Sequence, residues 1–169
     1  GGIRTDEKMC TNVPGVFAAG DVTGFSLLAH TASREGEVVV NNLVGRQDRM
    51  RYNAIPGVVY TNPEVAGVGE TEESAKAKGI AYKVAKLPMS YAGRFVAENE
   101  GGNGLCKVLV GEKYGEVIGV HLLGNPSSEI IYGACMAIEQ EMTIKELQEV
   151  VFPHPTVSEI IKETVFSFE

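Results

Sequence analysis

The stretch "GLCKVLVGEKYGEVIGVHLLG" (residues 104–124) decides the fold. Apolar side chains alternate with others on both sides of Lys113–Gly115, the period of strands with one buried face. Two such runs joined by a short glycine-bearing turn predict an antiparallel hairpin. A sheet of that kind must bury one face against something else. The cover follows in the chain. "SSEIIYGACMAIEQEM" (127–142) carries Ile130, Ile131, Ala134, Met136, Ala137 and Ile138 on a broad apolar helical face. "TIKELQEVV" (143–151) starts a second helix, with Thr143 and Glu146 in capping-box spacing, and a last helix follows Pro155.

The residues before the hairpin extend the sheet. "GVVYT" (57–61) and "EVAGVG" (64–69) predict strands around an Asn62–Pro63 turn. "TEESAKAKG" (71–79) is a short polar helix stopped by Gly79, and "YKVAKLPMS" (82–90) a strand with Pro88 near its end. Strands first and helices after predict an α+β layer over residues 51–169, an antiparallel sheet with helices on one face.

Residues 1–50 have a different texture. "TNVPGVFAAGD" (11–21) sets a Pro-Gly turn before the apolar run Val16–Ala19, which suits a buried parallel strand ending at Gly20 and Asp21. In "LLAHTASREGEVVVNNLVG" (27–45) the residues Leu27, Leu28, Thr31, Glu35, Val38, Val39 and Leu43 fall at helical spacing. Ser26 is the expected N-cap and Gly45 the expected stop. A single strand and helix cannot cover both faces of a parallel sheet, so this segment reads as part of an α/β domain. The linker "RQDRMRYNAIPG" (46–57) separates the two regions.

Composition excludes several classes. The 169 residues carry 44% hydrophobic and 22% charged side chains and a net charge of −7, which fits a globular core and argues against nucleic acid or anionic membrane as partner. No apolar run approaches a membrane span, and no signal peptide opens the chain, so a cytoplasmic setting is expected. Cys10, Cys106 and Cys135 are far apart, as are His30, His121 and His154, and neither a disulfide framework nor a metal site is expected.

Three motifs carry chemistry or its absence. Asp21, after Gly20 and ahead of a helix N-terminus, could accept hydrogen bonds from the hydroxyls of a ligand in the crevice beyond a strand end. It could equally be an ordinary turn aspartate. "GVGETEE" (67–73) lacks the third glycine of a dinucleotide loop and is acidic where a pyrophosphate would sit, so a tight turn is expected, and "GGNG" (101–104) reads as a loop tip. In "HPTVSE" (154–159), Thr156 and Glu159 could form a capping box with His154 a bystander. Alternatively Glu159 holds one ring nitrogen of His154 and leaves the other to exchange a proton near neutral pH, with Pro153 and Pro155 stiffening the backbone.

Taken together, these residues resemble the pyridine nucleotide–disulfide oxidoreductases over essentially the whole chain, nearest the branch that oxidises dihydrolipoamide. "TNVPGVFAAGDV" looks like the family's second FAD-binding motif, "LLAH" like the segment at the flavin edge, and "YTNPEVAGVGETEESAKAKG" (60–79) like the opening of its interface domain. "HPTVSE" looks like its catalytic signature. The resemblance implies that residues 1–50 end an FAD-binding domain and that residues 51–169 form the dimerisation domain. It implies that Gly20 and Asp21 meet the FAD ribityl chain and that Leu27, Leu28, Ala29 and His30 line the flavin edge. His154 would be the thiol base and Glu159 its orienting carboxylate. The partners implied are a second copy of the chain, dihydrolipoamide or a lipoyl-bearing protein, and NAD as co-substrate. The family's N-terminal glycine-rich FAD motif, its Cys-x4-Cys pair and its NAD domain have no counterpart in these residues, so the chain reads as a C-terminal part that retains no FAD. The open alternatives are a part of a glutathione reductase-like enzyme and a non-catalytic dimerisation module.

Overall fold

In the computed structural model, which describes residues 1–168, the chain divides into two units, Gly1–Tyr52 and Asn53–Glu169. The first unit is built on one helix, α1 (Ala29–Leu43), and the turns before it. The second is a five-stranded sheet with helices. In chain order it contains β1 (Gly57–Val59), β2 (Val65–Gly69), α2 (Glu72–Ala77), β3 (Tyr82–Pro88), α3 (Gly93–Glu98), β4 (Leu105–Gly111), β5 (Val117–Leu123), α4 (Ser127–Glu139), α5 (Ile144–Glu149) and α6 (Glu159–Phe166).

The strands lie in the order β1-β2-β5-β4-β3, and every neighbour is antiparallel. The β4–β5 hairpin sits near the middle, as its alternation requires. Its register pairs Cys106 with Leu122 and Val108 with Val120, and slips at Leu109/Val110. These four side chains, with Ala66 and Val68 of β2, are buried on one face. Against that face α4 lays Ile130, Ile131, Ala134, Ala137 and Ile138, and α6 lays Ile160, Ile161 and Val165. The apolar face of α4 thus finds its sheet, except for Met136, which is exposed on the other side of the helix. The opposite face is charged. Glu72 at the start of α2 takes Lys107 at 3.1 Å and Lys86 at 2.9 Å, and these two lysines hold its carboxyl down at about 2. His121 on the same face engages the Glu70 carbonyl through Nε2 at 2.9 Å, and its ring fills the space over Gly67.

Local chemistry fixes the ends. Thr71 with Ser74, and Thr143 with Glu146, form reciprocal capping boxes. Glu64, before β2, accepts the Ser128 N–H in the first turn of α4 at 2.8 Å, a carboxylate where the helix leaves N–H groups unpaired. Gly119 lies opposite Leu109, and a Cβ there would come within 2.0 Å of the Glu70 carbonyl oxygen, so only glycine lets the chain cross β5. "GVGETEE" is accordingly a tight turn ending in a capped helix.

Three expectations are corrected. Residues 16–19 form no strand among the described residues. A parallel strand needs neighbours, and the backbone here pairs locally: Ala18 N–H to Met9 O at 3.1 Å, Thr11 N–H to Val16 O at 3.0 Å and Val16 N–H to Val13 O at 3.1 Å. Val16 is therefore exposed and Asp21 sits in a 3-10 turn, Gly20–Thr23, not at a strand end. Ser26 does not cap α1, because its hydroxyl donates to Thr31 Oγ1 at 2.9 Å and the chain stays extended through Leu28, which is the N-cap. Thr156 does not cap α6, because its hydroxyl donates to the Pro153 carbonyl at 2.8 Å and the helix opens later, after Ser158. One helix, α3, is an addition to the sequence reading. Its Phe95 is 2% exposed and is the largest fully buried side chain of the sheet's core.

Candidate functional site

The turn before α6 brings one ring and one carboxylate together. His154 stands on an exposed loop between Pro153 and Pro155, with its side chain 80% exposed. Glu159, the first residue of α6, is 14% exposed and reaches back to His154 Nδ1 with Oε1 at 3.0 Å and Oε2 at 3.1 Å. The same carboxylate accepts the Thr156 N–H at 2.9 Å. The two sequence readings of "HPTVSE" therefore meet in one group: Glu159 ties the turn and holds the ring. The Thr156 N–H, then His154, keep the Glu159 carboxyl below the usual glutamate range. An ionised carboxylate only accepts, so it assigns the proton on Nδ1 and leaves Nε2 unengaged by Glu159. Such a ring can take a proton at Nε2, and Glu159 stabilises the imidazolium that results.

The packing of α6 supports this geometry. Ile160 is fully buried directly after Glu159, and Val157, Ile161 and Val165 are buried around it. The carboxylate thus stands on a helix anchored to β3 and β4.

In the first unit the residues singled out gather on one loop. Gly20 has φ +79, a conformation that favours glycine, and Asp21 beside it is exposed. Leu27, Ala29 and His30 are exposed and Leu28 is half-buried at the start of α1. No side chain caps that helix, and its first turn carries no acidic residue. Glu35 and Tyr52, neither of them a site residue in the sequence analysis, support this loop. Glu35, fully buried, accepts the Gly20 N–H at 2.5 Å and the Tyr52 hydroxyl at 2.7 Å. Its signal was present in the sequence, as the one charged residue in the helical stripe of α1. Arg34 and Asp48 form a two-point fork at 2.8 and 2.6 Å, which holds the Asp48 carboxyl far below its usual range.

A third feature lies on α4. Tyr132 and Met136 of this helix are 69% and 54% exposed. They rim a groove of about 350 Å³ floored by Val120, Ile161 and Val165. Among the described residues no three His, Cys, Asp or Glu side chains converge as a metal ion would need, and no helix is long and apolar enough to cross a membrane.

Comparison with known proteins places this arrangement. The family described as "Pyridine nucleotide-disulphide oxidoreductase, dimerisation domain" matches residues 55–165, and "Pyridine nucleotide-disulphide oxidoreductase" matches residues 1–36. The chain is 38% identical to the mitochondrial dihydrolipoyl dehydrogenase of Pisum sativum, over 99% of this chain and 33% of that protein. It is 40% identical to dihydrolipoyl dehydrogenase 3 of Pseudomonas putida, over 99% of this chain and 37% of that protein. The crystal structure of LpdA from Mycobacterium tuberculosis superposes with a TM-score of 0.90 at 26% identity, covering 99% of this chain and 37% of that one. The chain thus spans about one third of the length of the curated relatives it matches. With the dimerisation domain matched over more than half its length, the chain belongs to the pyridine nucleotide–disulphide oxidoreductases.

Proposed function

We propose that this chain is the C-terminal part of a flavin-dependent enzyme that oxidises dihydrolipoamide, with residues 1–50 ending its FAD-binding domain and residues 51–169 forming its dimerisation domain. The observation that carries the reading is the seating of His154 Nδ1 on Glu159 at 3.0 Å, with the ring itself exposed. Nε2 takes the proton of a dihydrolipoamide thiol, and the thiolate left behind is the nucleophile toward a disulfide. Glu159 fixes the tautomer and stabilises the imidazolium until the proton leaves.

The residues of the first unit fit one side of a flavin. Gly20, at φ +79, sets the turn from which Asp21 offers an exposed carboxylate to ribityl hydroxyls, and α1 opens at Leu28, which supplies no side-chain cap. The N–H groups of that helix start favour negative charge at the edge lined by Leu27, Leu28, Ala29 and His30. When bound, FAD would pass electrons between the disulfide and NAD.

The exposed His154 serves the site of a second copy, so the working unit is a homodimer. The exposed Tyr132 and Met136 on α4, over an apolar groove, support a pairing surface within residues 57–169.

The test uses the flavin-loaded enzyme that contains this chain. His154→Gln should slow reduction by dihydrolipoamide about 10²–10⁴-fold, the range for losing a general base, while NADH-driven reduction of an artificial acceptor is kept. Glu159→Gln should lose less. Equal loss of both activities in His154→Gln would make the histidine structural and overturn the reading.

A further inference from the structure

The loop 20–28, which carries Gly20, Asp21, Leu27 and Leu28 of the proposed flavin contacts and leads into Ala29 and His30, has no regular structure between the 3-10 turn at Gly20–Thr23 and Ala29. A binding loop needs something to hold its shape before the ligand arrives. Four exposed or half-buried residues in a row, Phe25 to Leu28, bury too little to do so alone.

One pair of side chains touches the loop at two points. Glu35 is fully buried, which is costly for a carboxyl group unless both oxygens find donors. Both do: Oε2 accepts the Gly20 N–H at 2.5 Å and Oε1 the Tyr52 hydroxyl at 2.7 Å. Tyr52 in turn lays its ring against Phe25, centroids 4.3 Å apart and planes tilted by 52°. Burial, then the bond to Glu35, push the Tyr52 hydroxyl's pKa up, so it stays a donor. The Gly20 carbonyl is bound as well, by Thr23 Oγ1 at 2.9 Å. Gly20 is also packed from the helix side, where a Cβ would stand 3.3 Å from Ala32 Cβ.

We propose that Glu35 and Tyr52 form a clamp that fixes the loop 20–28 in its binding shape, with Glu35 the positioning residue for Gly20–Asp21 and Tyr52 for Phe25. The proposal rests on the reading of Asp21 and Leu27–His30 as flavin contacts. Neither clamp residue touches the cofactor in this account. Each acts through the loop. The device has a chemical requirement: an acceptor facing the Gly20 N–H. Glu35→Gln meets it, because its amide oxygen can accept from Gly20 and its NH₂ can donate to a rotated Tyr52 hydroxyl. Glu35→Leu does not, and leaves the Gly20 N–H buried without a partner.

The Gly20 amide of the 169-residue chain reports the contact directly. Hydrogen exchange at Gly20 should speed up about tenfold or more in Glu35→Leu and stay within about threefold in Glu35→Gln, with the amides of α1 beyond Val38 unchanged in both. Unchanged exchange at Gly20 in Glu35→Leu, or equal acceleration throughout α1, would overturn the clamp. If Glu35→Leu does not fold, Glu35→Gln decides by its amide proton resonance. A neutral acceptor in place of a carboxylate oxygen should move Gly20 upfield more than any other glycine, and no such shift would equally overturn it. FAD affinity of the flavin-loaded enzyme separates the clamp from the reading beneath it. Weaker FAD binding in Asp21→Asn and in Glu35→Leu, with rescue in Glu35→Gln, supports both. Weaker binding in Asp21→Asn alone refutes positioning by Glu35. If Asp21→Asn binds FAD as before, the flavin reading fails, and Gly20 exchange still judges the clamp.

Discussion

Ile160→Ala probes the anchor beneath the candidate base. Ile160 is fully buried in the core shared by α4, α6 and the sheet, one residue after Glu159. The substitution removes three carbons from a closed site, which costs about 2–5 kcal/mol in transfer and cavity terms. The second unit runs from Asn53 to Glu169. At about 2.1 cal/mol/K per residue its unfolding entropy is about 0.25 kcal/mol/K, so the melting temperature should fall by roughly 8–20 °C. Ile160→Val removes one methyl and should cost about 0.5–1.5 kcal/mol, or roughly 2–6 °C. Thermal unfolding by circular dichroism, at fixed chain concentration because association shifts the midpoint, reads both. The two variants should rank in that order, and Phe166→Ala, at a side chain 40% exposed, should cost less than Ile160→Ala. A drop below about 2 °C for Ile160→Ala would mean that α6 is not seated as described, and the placing of Glu159 would lose its support.

Other outcomes follow from the same packing. Glu72 has its carboxyl lowered from 4.5 to about 2, first by Lys86 and then by Lys107. A folded pKa below the unfolded value gives stability that is present above about pH 4.5 and is lost as pH falls toward 2. The stability gap between the chain and Glu72→Gln, followed by melting temperature against pH, should therefore be full at pH 6 and close near pH 2. A gap independent of pH would mean that the lysines do not pair with it. Of the three thiols only the half-buried Cys10 should react promptly with a thiol reagent at pH 8, since burial pushes Cys106 to about 12 and Cys135 to about 11. Prompt titration of all three would show an open core.

What the sequence makes legible depends on how far each signal reaches. The β4–β5 hairpin was readable because its two halves pair with each other across a short turn, so alternation alone fixes both partners. The capping box of Thr143 and Glu146 was readable for the same reason, since every group in it lies within one turn. The run Val16–Ala19 was not, because four apolar letters suit a buried strand or a local turn equally, and only the available partner strands decide. Helix α3 has six residues and one buried side chain, Phe95, too few to show a period. The His154–Glu159 contact was legible as a pair, but through the wrong local structure. The carboxylate reaches the ring across a turn and not from within a helix that starts at Thr156. Glu35 was visible as a charge in an apolar stripe, yet its partners Gly20 and Tyr52 lie 15 and 17 residues away, and no local pattern names them.

In the proposed mechanism a second copy of the chain completes the site that His154 serves. Sedimentation equilibrium of the 169-residue chain at micromolar concentration tests it most directly. A single species of twice the mass of one chain is expected, held by the face that exposes Tyr132 and Met136. A monomer with its fold intact would contradict it and leave His154 without a neighbouring site.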